Sequence, residues 1–142
     1  MKKLLYFGAL FFTTSFAPTY GYAQNSADPS QKQVKFFFPG AKIQQDYKFT
    51  FPASFTEVTI NANDGVKLSC LLFKADSAKG VILYLHGNTG GNDKWGFMSK
   101  TYTNQHFDLF LFDYRGYGRS EGFIKNENEI YGDVQSAYDY LR

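Results

Sequence analysis

Cysteine is nearly absent from this chain. Cys70 stands alone in 142 residues, which excludes an intrachain disulfide framework and a cysteine-built metal site. A single thiol of this kind reads as a buried and inert one, because free cysteine is among the most buried residue types. Charge of one sign is lacking too. Fifteen Lys and Arg face thirteen Asp and Glu; setting aside Lys2 and Lys3, which lie in a leader, leaves thirteen against thirteen. That balance removes the electrostatic case for nucleic acid or an anionic membrane surface as partner. There is no nucleotide or metal motif, no internal repeat and no low-complexity tract, so no cofactor is expected. The length bounds the chain at one domain.

Aromatic residues, by contrast, are abundant: sixteen Phe and eleven Tyr give ample material for a core. Residues 1–23 read as a secretory signal, with Lys2-Lys3 as the positive start, Leu4 to Phe12 as the apolar stretch and Gly21-Tyr22-Ala23 as small residues for cleavage near Ala23. The apolar stretch is too short for a stable membrane anchor. Export to a periplasm or the exterior is the expectation. Residues 24–54 read as a polar leader followed, from Val34 to Pro52, by an aromatic-rich extended segment on the flank of the domain; an exposed recognition segment is the alternative.

From residue 55 to 142 the patterning is that of an α/β fold. Glu57 to Ile60 and Lys67 to Phe73 are β-rich runs joined through Asn61-Ala62-Asn63-Asp64-Gly65, a hairpin signal in which Gly65 accepts the positive φ of a tight turn and Asp64 is a turn former. Val81 to Leu85 and Leu109 to Phe112 are short apolar runs that end in Gly-rich turns, the pattern of strands buried on both faces. About twenty residues separate them, enough for a helix and hence for parallel strands. One helix is expected from Lys94 to Gln105, capped by Asn92-Asp93, and a second from Glu129 to Leu141 with Ile130, Val134, Ala137, Tyr138 and Leu141 on one face. Ligands of open parallel sheets bind beyond the carboxyl ends of the strands, where both Gly-rich turns lie. The first, His86-Gly87-Asn88-Thr89-Gly90-Gly91, can aim backbone N–H groups into a pocket as an oxyanion hole, or can simply reverse the chain.

The strand ending in His86-Gly87-Asn88, followed by Asp113-Tyr114-Arg115-Gly116-Tyr117-Gly118 with Ser120, resembles the α/β-hydrolase family, in particular its serine aminopeptidase and monoacylglycerol-lipase-like branch. The Asn-Asp-Gly hairpin and the helix containing Gly132-Asp133-Val134 and Ala137-Tyr138-Asp139-Tyr140-Leu141 are similar to the family's as well. The resemblance implies an oxyanion-hole N–H at Asn88, with Thr89 as the neighbouring candidate. It implies structural roles for His86, Gly87, Asp113, Arg115, Gly116, Gly118 and Ser120, and a small-molecule ester or peptide substrate for the complete protein.

Gly118-Arg119-Ser120-Glu121-Gly122 also fits the Gly-x-Ser-x-Gly pattern of a nucleophile elbow, which needs the Ser on a sharp turn between strand and helix. Five residues part Gly118 from the preceding strand, a polar loop follows Gly122, and both histidines, His86 and His106, precede Ser120. Ser120 is therefore expected to be structural. In the family the elbow follows the second helix, so the chain reads as the N-terminal part of an exported serine hydrolase, without nucleophile, acid or base and inactive alone. The expected fold is an α/β-hydrolase-type sheet, truncated, with a β-hairpin followed by β-α-β-α and two parallel strands. Strand 81–85 would then be an open edge, available for self-association. The competing reading is a non-catalytic exported binding or assembly module built on the same half-fold.

Overall fold

A computed structural model describes residues 3–7 and 29–142. The elements are β1 (Lys3–Phe7), α1 (Pro29–Phe37), β2 (Ala41–Lys42), β3 (Phe55–Asn61), β4 (Lys67–Phe73), β5 (Gly80–Tyr84), α2 (Asn92–Trp95), a 3-10 turn at Gly96–Met98, α3 (Ser99–Thr103), β6 (Phe107–Phe112), β7 (Tyr117–Gly118) and α4 (Glu127–Tyr140). Five strands form one sheet in the order β1-β5-β6-β4-β3, and β2 pairs with β7 in a small second one. The expected mixed α/β sheet is thus present. β3 and β4 are antiparallel, from Phe55 opposite Phe73 to Asn61 opposite Lys67. Gly65 turns that hairpin at φ +85°, donating to the Ala62 carbonyl. β5 and β6 run parallel, with Ile82 opposite Leu109.

Side chains of the central strands go alternately to two cores, as the period of a strand buried on both faces requires. Leu83, Phe110 and Phe112 join Ile60, Leu68, Cys70 and Ala137 on one face, covered by Ile130, Val134, Tyr138 and Leu141 of the α4 region. Ile82, Leu109 and Leu111 join Phe49, Leu71 and Phe73 on the other, against Phe51, Phe55, Trp95 and Tyr102. The apolar face expected for the second helix is the one it buries. Its start lies two residues earlier than expected, because the Asn126 side chain accepts from the Glu129 N–H and caps it.

Three expectations need correction. The helix expected from Lys94 to Gln105 is broken into α2, the 3-10 turn and α3. A Cβ at Gly96 would lie 2.3 Å from the Phe51 ring, so the aromatic flank presses on the backbone where the pieces join. Asn92 and Asp93 are the first residues of α2, and Gly91 is the cap. Second, Pro29–Phe37 is helical rather than leader and extended segment, and Ala41–Lys42 pairs with Tyr117–Gly118. Third, β5 is not an edge among the described residues: β1, inside the stretch that reads as a signal, runs parallel to it from Lys3 opposite Gly80 to Phe7 opposite Tyr84. The cleavage position near Ala23 lies outside the described residues.

The loop after β6 packs so closely that glycine is obligatory at one point. Gly118 has φ +48°, and a Cβ there would sit 1.8 Å from the Asp113 carboxylate. At Gly65 only the positive φ opposes a side chain, since nothing lies within 4 Å. Gly118→Ala is expected to cost roughly 2–5 kcal/mol from overpacking plus backbone strain, and Gly65→Ala about 1 kcal/mol from strain alone. Urea midpoints of the two variants check the contrast.

Candidate functional site

The carboxyl ends of β5 and β6 bring the two Gly-rich segments together. Leu85 leads into His86, whose side chain is wholly buried and packs edge-on against Tyr114 and Tyr117, with ring centroids 4.7 and 5.4 Å away. His86 Nδ1 lies 2.6 Å from the Gly87 carbonyl oxygen. A carbonyl only accepts, so Nδ1 carries the hydrogen. Nε2 then faces Asp113 Oδ1 at 3.5 Å, acceptor to acceptor unless a proton sits between them. Burial raises the Asp113 carboxyl above its ordinary range, against the lowering effect of His86 and of the Asn92 N–H, and so favours holding that proton.

Asp113 is also the joint between the two segments. Its Oδ1 accepts from the Asn92 N–H at 2.7 Å, and its own N–H donates to the Ser69 carbonyl, which also takes the Asn92 side-chain amide. Gly91 and Gly118 press on the same carboxylate from two sides. The turn at 86–89 is thereby fixed at its base while Gly87, Asn88 and Thr89 stay exposed.

The carbonyls of this turn are claimed one by one. Tyr114 Oη donates to the His86 carbonyl, Tyr117 Oη to that of Asn88, and Trp95 Nε1 to that of Thr89. The Asn88 side-chain amide donates to the Phe37 carbonyl, tying the end of α1 to the turn. Among the described residues, no acceptor takes the backbone N–H of Asn88 or Thr89. A turn with carbonyls pinned inward and N–H groups unclaimed presents positive partial charge to solvent, the electrostatics of an anion-receiving nest.

Ser120 is built in. Its hydroxyl donates to the Asp113 carbonyl at 2.7 Å and accepts from the Ser69 N–H at 2.8 Å, and the residue is fully buried. Both its hydrogen-bonding directions are used within the loop, leaving no proton for a base to take. His106 lies elsewhere, exposed, with Nδ1 on the Asp76 carbonyl. Arg115 grips Asp133 through Nε and Nη2, grips Asp64 through Nη1 and Nη2, and lies 3.5 Å from Glu129. Its guanidinium pKa is raised, first by Asp133, against desolvation. Asp64 thus does more than form its turn, a role that local sequence could not show because the partner is 51 residues away. Gly116, at φ +84°, brings the loop back beneath Phe123. Burial pushes the Cys70 thiol far up, as for an inert cysteine. Among the described residues no three His, Cys, Asp or Glu converge as metal ligands.

Comparison with known proteins places this geometry. The chain is similar in structure to an esterase of Pyrococcus furiosus, with TM-score 0.55 and 22% identity over 72% of this chain and 40% of that one. It is similar also to an alpha-beta hydrolase of Vibrio vulnificus, with TM-score 0.54 and 25% identity over 61% of this chain and 29% of that one. The fold is that of the α/β hydrolases. In sequence the chain is 31% identical over 112 residues to the uncharacterized protein YfhR of Salmonella typhi, an alignment covering 75% of this chain and 37% of YfhR. The chain therefore spans well under half the length of that relative. No family model matches the chain.

Two outcomes follow for this loop. Ser120→Ala leaves the buried Ser69 N–H and Asp113 carbonyl without their partner, and is expected to lower stability by about 1–3 kcal/mol, read from denaturant midpoints. Asp64 is held below its ordinary value of 3.8, chiefly by Arg115. A depressed folded-state pKa contributes stability that is complete above the ordinary value and is lost as pH falls through the folded one. The Tm gap between parent and Asp64→Asn should be flat from neutral pH down to about 5 and close below 3.8.

Proposed function

We propose that this chain is the front portion of an exported serine hydrolase, in the serine aminopeptidase and monoacylglycerol-lipase-like branch, acting on ester or amide bonds. The observation that carries the reading is the turn at 86–89, whose carbonyls are held by Tyr114, Tyr117 and Trp95 while the N–H groups of Asn88 and Thr89 stay unclaimed. In acyl transfer, a serine activated by a histidine attacks the substrate carbonyl, and the negative charge gathers on its oxygen. Pre-aligned N–H donors at that oxygen stabilise the tetrahedral species without reorganising. Asn88 is the primary donor in this reading and Thr89 its neighbour. Ser120, His86 and His106 do not make a triad, so the reading assigns nucleophile, acid and base to sequence other than these 142 residues. By itself the chain is then inactive. Residues 1–23 direct export, and cleavage falls near Ala23.

The test uses the protein as recovered from the cells that make it. A serine-directed fluorophosphonate should label it, and Asn88→Pro, which deletes the N–H, should lower kcat for an activated ester by about 10²–10³ with little change in KM. Asn88→Ala keeps the N–H and should stay near the parent. Absence of both labelling and turnover would defeat the hydrolase reading in favour of a non-catalytic module. A recovered N-terminus at Met1 would defeat the cleaved signal.

A further inference from the structure

The fold leaves Phe36 and Phe37 at the end of α1 in solvent, and with them Phe123, which lines one cleft with Lys35 and Phe38. Phe36 is 78% exposed, Phe37 57% and Phe123 59%, and the first two meet edge to face with centroids 5.3 Å apart. Clustered exposed aromatics mark a surface that is covered in use. An open cleft of about 570 Å³ is lined by Lys35, Phe38, Lys42, Phe123 and Ile124. Among the described residues no Asp or Glu lines it. Arg115 reaches its floor but is already matched by Asp64, Asp133 and Glu129. Lys35 and Lys42 have no carboxylate partner among the described residues. The Lys125 ammonium lies 5.2 Å from the centre of the Phe123 ring. A chain of balanced total charge thus gathers cations around exposed rings at one place.

We propose that this face docks reversibly on an anionic lipid bilayer, the three phenylalanines entering the interface and Lys35 and Lys42 meeting phosphate headgroups. Apolar rings flanked by lysines are the composition of interfacial segments, and α1, nine residues long, would lie along such a surface rather than across it. A second copy of this chain is a poorer occupant, because a symmetric contact would set the lysines of the two copies against each other. Asn88 is bonded to the Phe37 carbonyl, so docking would hold the exposed turn beside the headgroup layer. The inference stands apart from the hydrolase reading, and a protein without activity could still bind in this way.

The experiment is cosedimentation of the protein as recovered from the cells that make it with vesicles of phosphatidylcholine alone or with phosphatidylglycerol added. Binding is expected to need the anionic lipid and to fall with salt over the Debye range. Lys35→Gln with Lys42→Gln should weaken it roughly thirty-fold, from about fivefold per lysine, and Phe36→Ser with Phe37→Ser should abolish it. The leading apolar stretch is the same in every variant, so binding that survives both pairs of substitutions overturns the proposal. Equal binding to the neutral vesicles, no binding to either, or a dimer that Phe36→Ser with Phe37→Ser dissociates would overturn it as well. The salt dependence of the unaltered chain needs no variant to fold.

Discussion

One buried carboxylate holds the functional end of this molecule together. Asp113 follows β6, accepts the first N–H of α2, faces His86 across 3.5 Å and has Gly91 and Gly118 packed against it. A carboxylate wholly out of water is costly unless hydrogen bonds or a proton compensate it. Here the Asn92 N–H supplies a hydrogen bond, and burial raises the Asp113 carboxyl above its ordinary range. The glycines follow from the same requirement, since the backbone must come close enough for those bonds and no side chain fits beside the carboxylate. The turn at 86–89 is therefore positioned by charge satisfaction beneath it as much as by the strand that leads into it.

Arg115 performs the complementary task on the outer side of the loop. It joins Asp64 of the hairpin turn, Asp133 and Glu129 of α4, and its own loop in one network. Its side chain is 5% exposed and that of Asp133 is fully buried, so the pair gains its value from completeness. Removing one partner of such a pair leaves an uncompensated charge, at about 3–5 kcal/mol. The exposed contact to Asp64 is weaker by comparison, because water screens it. Together the three acidic anchors fix hairpin, loop and helix relative to one another around the core of Leu83, Phe110 and Phe112.

The parts of this fold that were legible in the sequence are those in which local pattern and burial coincide. Leu109 to Phe112 alternates between two cores, the Asp64-Gly65 turn sets a hairpin, and Ile130, Val134 and Ala137 recur at helical spacing; each states its structure within a few residues. The break of the helix after β5 was not legible in local pattern, and the ring that requires glycine at its middle, Phe51, is 45 positions away in the chain. Helix α1 was hidden by a polar and aromatic composition that resembles a leader. At the site, the two Gly-rich turns beyond the carboxyl ends of β5 and β6 could be read from order and spacing. The grip of Tyr114, Tyr117 and Trp95 on the turn carbonyls could not, since nothing local distinguishes a tyrosine that packs from one that also donates.

The pairing of β1 with β5 sets a constraint on any account of export. β5 is apolar along its length, and its N–H and C=O groups on the side away from β6 must find partners or remain a template for other chains. Lys3–Phe7 supplies those partners in register from Gly80 to Tyr84. The same residues form the beginning of the segment that reads as a secretory signal. Cleavage near Ala23 and the β1–β5 pairing therefore exclude each other in a mature molecule. A processed protein must fill the position beside β5 with another strand, and parallel pairing there requires that strand to arrive through a crossover connection. That position lies beside the strand that leads into the turn at 86–89.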